Sequence, residues 1–122
     1  MLNNSEISKT IISAAFSVSN TLGCGFLEKV YQNAMIIELR DNGLLVESQR
    51  KFQVIYKGHP VGDYVSDILV ERMFIVELKS IRKIENIHRG QLLNYLKAAN
   101  LRFGLVINFG NPKIEIARVA NG

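Results

Sequence analysis

The chain has few of the residues that mark disulfide-rich, cysteine-metal or membrane proteins. Its 122 residues include one cysteine (Cys24), no tryptophan, two prolines and two histidines. A single cysteine excludes an internal disulfide and a cysteine-rich zinc site. No apolar run approaches the ~20 residues that cross a membrane, and the first residues do not resemble a signal peptide. We therefore expect a cytoplasmic protein.

The chain also lacks repeats, low-complexity tracts and a linker rich in proline, glycine or serine. Its apolar content of 48% is typical of a folded protein and too high for a disordered one. This length is enough for one hydrophobic core, so we expect residues 1–122 to form one domain. The net charge of +4 is a weak indication of a polyanionic partner.

Hydrophobic spacing predicts two helices in the first third of the chain. The first begins after Asn4 or Ser5, either of which is a good N-cap, and ends near Gly23. The second covers about 26–40, with apolar residues on more than one side. The apolar stripe predicted for this second helix consists of Leu27, Val30, Tyr31, Ala34 and Ile37.

Strand patterns dominate the rest of the chain, with one helix between them. A turn is expected at 58–60. The element order ααβββαββ predicts an α/β fold in which helices pack on a mixed sheet. The expected strands are 51–57, 64–70, 74–80, 102–109 and 113–119, and the expected helix is 87–100.

Three charged residues interrupt strands that otherwise read as buried. Asp67 lies in one strand, and Glu77 and Lys79 lie in the next. Residues two apart in a strand share a face, so Glu77 and Lys79 point the same way. If the odd-length loop 71–73 joins the strands as a hairpin, Asp67 lies opposite Glu77, whereas a two-residue turn would separate them.

A buried charge must pair with another charge or bind a metal. Hard cations such as Mg²⁺ prefer oxygen ligands, which Asp67 and Glu77 would supply, with the backbone carbonyl of Leu78 as a further ligand. Lys79 would then orient the attacking water or stabilise negative charge in the transition state. The alternative is a cross-strand salt bridge between Lys79 and either carboxylate.

Further polar residues form a motif series with these three. The series consists of Gly25, Glu28 and Tyr31 in the second helix region, Asp67, the Glu77 and Lys79 pair, and Gln91 with Tyr95 in the third helix. This series resembles the PD-(D/E)XK nuclease superfamily, and within it the group called GxxExxY proteins. The resemblance covers roughly 10–120 and implies a restriction-endonuclease-like core. Ser66 replaces the proline of the superfamily signature, a change that affects strand shape rather than chemistry.

The resemblance implies roles for the other motif residues. Glu28 would be a direct or outer metal ligand, although a carboxylate at a helix start also stabilises the helix itself. Gln91 would hydrogen-bond a metal-bound water or a catalytic carboxylate, and Tyr95 would contact a phosphate or support the site. Alternatively, Gln91 and Tyr95 form the polar border of an amphipathic helix, and Tyr31 is a core residue.

The implied function is hydrolysis of nucleic-acid phosphodiesters with Mg²⁺, or Mn²⁺ in its place, with DNA favoured over RNA by the resemblance alone. Arg82, Lys83 and Arg89 would hold the phosphate backbone, although a solvated charged surface is the more frequent explanation for such residues. So small a core implies a homodimer or a partner protein that supplies specificity. Two alternatives remain: a non-catalytic nucleic-acid-binding or protein-interaction module, and a structural homodimer with an internal salt-bridge network.

Overall fold

The computed structural model describes residues 2–122, so Met1 of the expected domain lies outside the described residues. These residues form three helices and seven strands. The helices are α1 (Asn4–Leu22), α2 (Glu28–Asp41) and α3 (Asn86–Ala99). The strands are β1 (Val46–Ser48), β2 (Lys51–Tyr56), β3 (His59–Val65), β4 (Ile68–Val70), β5 (Phe74–Lys79), β6 (Phe103–Asn108) and β7 (Glu115–Ala120).

Five strands form a mixed sheet in the order β1-β4-β5-β6-β7. Strand β5 pairs antiparallel with β4 and parallel with β6, and α3 makes the crossover between β5 and β6. This arrangement confirms the predicted α/β class, with a mixed sheet between helices. It contains two more strands than expected between α2 and α3.

The extra strands result from a bend in one long hairpin. The β1–β4 ladder pairs Ser48 with Ile68, and the β2–β3 ladder continues the same register from Lys51 and Val65. The predicted strand 64–70 is therefore split, because the chain bends where Gln49 takes a left-handed backbone with φ 55°. The outer part, β2 with β3, is called the arm below.

The turn at the tip of the arm also differs from the expected 58–60. Lys57 and Gly58 form it, with φ of 49° and 79°, and Tyr56 pairs directly with His59. Two successive positive φ values define a type I′ turn, whose twist matches that of the flanking strands. Pro60 therefore belongs to β3, next to the irregularity in the ladder.

Helices cover both faces of the sheet. The face of β5 that carries Val76 and Leu78 packs against α1 and α2, and the face that carries Ile75 packs against α3. Helix α3 approaches the sheet closely at Gly104, where an added Cβ would lie 2.8 Å from the Leu92 side chain. Side chains of β5 that alternate with Val76 and Leu78 therefore face α3 and the arm.

Two helix predictions are corrected. The N-cap of α1 is Asn3, whose side chain accepts the Glu6 N–H at 2.9 Å in a capping box. In α2 the buried apolar residues are Tyr31, Met35 and Leu39, because apolar residues on several sides of this helix left its orientation open. Within residues 2–122, no helix has the length and hydropathy of a membrane span. The residues wrongly placed on the buried stripe of α2 are Leu27, Val30 and Ile37, which are exposed.

Candidate active site

Asp67 and Glu77 meet where β4 and β5 separate. The loop between these strands has three residues, and Ile68 pairs with Val76, so Asp67 lies opposite Glu77 as predicted. The Leu78 N–H donates to Asp67 Oδ2 at 2.9 Å, and the Asp67 N–H lies 3.4 Å from Glu77 Oε1. Each acid thus accepts a hydrogen bond from the backbone of the segment that carries the other. These bonds fix the pair at the point where β4 and β5 separate, which is called the fork below.

The backbone of Leu78 faces this fork. Its N–H reaches Asp67, beyond the last β4–β5 pair. The N–H and C=O of one strand residue point to the same side, so the Leu78 carbonyl also faces the fork instead of β6. This orientation is compatible with the predicted ligand role.

Glu77 is buried, with 8% of its surface exposed, and its partner is Tyr64 of the arm. The Tyr64 hydroxyl donates a hydrogen bond to Glu77 Oε1. Tyr64 was not among the site residues predicted from the sequence. In a continuous strand Tyr64 and Asp67 would point to opposite faces, but the bend at Ser66 places both beside Glu77.

The two acids concentrate negative charge in a poorly hydrated place. Burial, and then the neighbouring Asp67 carboxylate, raise the pKa of Glu77 to about 8, although the hydrogen bond from Tyr64 acts in the opposite direction. This shift is the one expected of a carboxylate pair without a nearby cation. A dication between these oxygens would relieve it, so the residues present fit the proposed metal.

One oxygen of each acid remains available. The N–H and O–H donors of the protein use Asp67 Oδ2 and Glu77 Oε1, which leaves Asp67 Oδ1 and Glu77 Oε2 without such a donor. Within residues 2–122, no fully buried side-chain oxygen or nitrogen lacks a hydrogen bond, so both free oxygens retain solvent access. Two carboxylate oxygens that face each other and are not fully buried suit a hard cation.

Lys79 follows Glu77 on the same face of β5 and is partly buried. The ion pairs found in the described part of the chain join Arg50 to Glu47 and Lys51 to Asp63. The alternative in which Lys79 neutralises either acid is therefore not seen. Its ammonium group remains available for a phosphate or a water.

Helix α2 contacts the fork through two side chains. Glu28 does not join the acid pair: its carboxylate accepts the Ser80 N–H at 3.3 Å, and residues 2–122 contain no group of three acids, histidines or cysteines placed for a metal. Gln32, one turn further on, is buried and donates to the Asp67 carbonyl at 3.1 Å. Gln32 was missed by the sequence analysis, since a glutamine on a helix gives no signal of burial.

Tyr31 has the core role that the sequence analysis offered as an alternative. Its hydroxyl donates to the Gly23 carbonyl at 2.7 Å and accepts the Phe26 N–H at 3.2 Å. Its ring, fully buried, stacks on Phe109 at 4.5 Å. Tyr31 thus fixes the loop that positions Glu28.

The two motif residues of α3 differ in their surroundings. The Tyr95 ring stacks on Tyr64 with centroids 3.6 Å apart. Burial and the nearby Glu77 carboxylate raise the pKa of Tyr95. Gln91 is exposed, and its side chain makes no hydrogen bond within residues 2–122. Tyr95 therefore contacts the site through Tyr64, whereas Gln91 has no hydrogen bond to the residues of the site.

The basic residues follow the site directly along the chain. Arg82, Lys83 and Arg89 are exposed. Buried Asn108 holds their loop, since its amide accepts the Ile81 N–H at 2.9 Å and donates to the Ile81 carbonyl at 3.0 Å. A surface cavity of about 380 Å³ opens here. It is lined by Ile81, Arg82, Lys83, Glu85 and His88.

The mixed sheet and the two acids at its fork define a restriction-endonuclease-like domain. A sequence model of the PD-(D/E)XK nuclease superfamily matches residues 5–119, and the chain therefore belongs to that superfamily. None of the curated proteins matches it. Among solved structures, the crystal structure of SSO0001 is similar, with a TM-score of 0.60 and 17% identity over 96% of this chain. That identity shows the fold alone, and this chain spans 59% of the SSO0001 chain.

Proposed function

We propose that this chain hydrolyses phosphodiester bonds of nucleic acid with Mg²⁺, for which Mn²⁺ can substitute. The observation that carries the proposal is the meeting of Asp67 and Glu77 at the fork, with one solvent-accessible oxygen each. The superfamily suggests a nucleic-acid partner, and DNA is the substrate class we favour.

The chemistry can be assigned to residues of the site. Asp67 and Glu77 would hold the ion, with the Leu78 carbonyl as a third oxygen. When bound, the ion would polarise a phosphate oxygen and neutralise the charge that develops on it. Lys79 would stabilise the same charge and orient the attacking water. The water oxygen bonds to phosphorus and loses a proton, while the P–O bond to the leaving sugar oxygen breaks and that oxygen gains a proton.

Substrate would be held through its backbone. Arg82 and Lys83 lie in the loop that follows Lys79, and Arg89 lies in the first turn and a half of α3. Such contacts position a phosphate chain without reading bases. Sequence or structure specificity would then come from a second copy of the chain or from a partner protein.

The test is a comparison of metal binding and DNA cleavage in matched variants. Asp67→Asn and Glu77→Gln remove ligand charge with little change in shape, and Asp41→Asn removes an exposed charge at the end of α2. The wild type and Asp41→Asn should bind Mn²⁺ in calorimetry and nick plasmid DNA. The two site variants should lose at least about a hundredfold in cleavage, the order seen when one electrostatic catalytic contact is removed.

The outcome against the proposal is equally specific. A wild type that neither binds Mn²⁺ nor cleaves single-stranded, double-stranded or RNA substrates is not a nuclease of this type. Cleavage that survives in both site variants would place the chemistry elsewhere.

One observation favours a second candidate, a non-catalytic nucleic-acid-binding module. Neither Glu28 nor Gln91, both expected in the site, is hydrogen-bonded to the acid pair, and Glu28 instead accepts the Ser80 N–H. A module of this kind would shift DNA in a gel with chelator present and would leave it uncut with metal. The same plasmid assay separates the two functions.

A further inference from the structure

A second cleft lies on the same face of the sheet as the acid pair. It has a volume of about 350 Å³ and lies between the base of the arm, the β4–β5 hairpin and the end of α3. Leu69 lines it and is two residues from Asp67, a spacing of about 7 Å in an extended strand. The lining residues are Arg50, Phe52, Leu69, Arg72, Ala99 and Leu101, none of them acidic.

Side-chain contacts connect this cleft to the site. The ring of Phe52 stacks on Tyr64 with centroids 6.0 Å apart and planes 16° from parallel. Tyr64 in turn stacks on Tyr95 and donates to Glu77. The row Phe52, Tyr64 and Tyr95, called the aromatic row below, therefore runs from the cleft to the proposed metal ligands.

The cleft offers two groups that suit a nucleotide. The guanidinium carbon of Arg50 lies over the Phe52 ring, 5.6 Å from its centroid, so a base would stack on this ring once the guanidinium moves to a phosphate. Arg72 projects from the β4–β5 loop, where it and Glu71 have left-handed backbones with φ of 52° and 54°. A base can stack on an aromatic ring, and arginine binds phosphate in a planar, two-pronged geometry.

One charge near the cleft opposes anion binding but does not prevent it. Arg50 is paired with Glu47 at 3.2 Å, and both side chains are substantially exposed, at 47% and 30%. An exposed ion pair is weak, so a phosphate can replace it at little cost. For Arg72 the described residues show no salt bridge, so its charge is available.

We propose that this cleft binds a nucleotide flanking the cleaved bond, with its base against Phe52 and its phosphate at Arg50 and Arg72. The ligand class is single-stranded nucleic acid, because a base that stacks on a side chain cannot at the same time be stacked within a duplex. This inference rests on the proposed function for its meaning, but the binding itself does not require a metal.

The experiment is fluorescence anisotropy of a labelled oligothymidine, in chelator, as a function of salt. Arg72→Gln keeps the side-chain stem and removes the charge, and Lys9→Gln makes the matched change on α1, at the opposite face. Arg72→Gln should weaken binding severalfold and lower the slope of log affinity against log salt by about 0.7, the share of one phosphate contact. Lys9→Gln should leave both unchanged.

The stacking contact is tested separately. Phe52→Leu should weaken oligothymidine binding between about fivefold and about a hundredfold, the range for loss of one base–aromatic stack. A thermal melt equal to that of the wild type is required, because Phe52 also supports Tyr64. Arg72 is exposed, so the arginine variant gives a result even if the phenylalanine variant fails to fold.

The outcomes separate this proposal from the nuclease proposal. If Arg72→Gln binds oligothymidine as Lys9→Gln does, or if the wild type prefers duplex and Arg72→Gln does not affect it, the cleft proposal is wrong. Metal binding and plasmid cleavage could still be normal. If instead the wild type binds no Mn²⁺ while Arg72→Gln weakens oligothymidine binding, the cleft is right and the nuclease proposal is wrong.

Discussion

At the scale of single residues, Glu77 combines two demands that conflict. It is buried against Tyr64 and faces a second carboxylate, so its ionised form is disfavoured in the free protein. A metal ligand must be ionised, and a site with a raised carboxyl pKa binds a cation only in exchange for a proton. The charge arrangement therefore makes sense for a site that is completed by a cation.

The first prediction concerns stability against pH without metal. The pKa of Glu77 rises from 4.5 to about 8 on folding. Between these values the folded protein keeps a proton that the unfolded chain has lost, so the free energy of unfolding falls as pH rises, by at most about 1.4 kcal/mol per pH unit from this group. Urea denaturation at pH 5.5, 6.5 and 7.5 in chelator measures the slope.

Glu77→Gln is the control for this slope, because glutamine stays neutral at every pH. The variant should show a flatter dependence than the wild type over the same range. Equal slopes in both proteins would mean that Glu77 ionises normally and that the acid pair is better hydrated than the structure indicates.

Site residues could be predicted from the sequence where a charged side chain lies in an otherwise apolar strand. Asp67, Glu77 and Lys79 stand out because charges in an apolar strand require an explanation. Tyr64 and Gln32 did not stand out, because a tyrosine is ordinary in a strand and a glutamine is ordinary on a helix. Their importance comes from hydrogen bonds to Glu77 and to the Asp67 carbonyl, which connect elements far apart in sequence.

At the scale of elements, one end of the arm is exposed to solvent and the other end contacts the site. Its outer half exposes Ile55 and Tyr56, whereas Tyr64 at its base is buried. The isolated two-stranded ladder would be marginal by itself, so its position depends on the aromatic row. Any displacement of the arm would therefore change the hydrogen bond that Tyr64 gives to Glu77.

The second prediction is that Tyr64→Phe weakens metal binding without unfolding the arm. Phenylalanine keeps the stacks on Phe52 and Tyr95 but removes the donor that holds Glu77 Oε1 and favours its ionised form. A hydrogen bond to a charged group is worth about 1.5–3 kcal/mol, so the affinity for Mn²⁺ near pH 7 should fall about tenfold or more. Calorimetry in parallel with a thermal melt gives both quantities.

Tyr56→Phe is the matched control, since it removes a hydroxyl from an exposed tyrosine of the same arm. It should bind Mn²⁺ as the wild type does. If Tyr64→Phe is also unchanged, the hydroxyl of Tyr64 does not position Glu77 and the arm is not coupled to the site.

Helices and strands could be predicted where the spacing of hydrophobic residues stayed regular over many residues. The three helices and the strands β5, β6 and β7 lie within a few residues of their predicted positions. The bend in the long hairpin was not predictable, because 64–70 contains no glycine or proline to mark a break. The left-handed backbone of Gln49 and the pairing of Ser66 with Arg50 create it, and both depend on the partner strand.

At the scale of the whole molecule, the charges of the acid pair affect the free energy of unfolding, because both acids are held by the central sheet. Asp67 directly precedes β4, and Glu77 lies in β5, the central strand of the five-stranded sheet, which has helices on both faces. Without metal, the folded state must either keep a proton on Glu77 or tolerate repulsion between the two carboxylates, and neither cost arises in the unfolded chain. A ligand that binds only the folded fork must therefore stabilise the entire sheet.

The third prediction follows from this coupling: Mn²⁺ or Mg²⁺ should raise the melting temperature, and a chelator should reverse the change. At a concentration about a hundredfold above the dissociation constant, the gain is about 2.7 kcal/mol, which for a protein of this size corresponds to roughly 10 °C. The double variant Asp67→Asn with Glu77→Gln should show no rise. It should also melt no lower than the metal-free wild type, because it removes a repulsion while retaining polar groups at both positions. A wild type whose melting temperature is unchanged by either ion would mean that the acids do not bind a dication in the folded state.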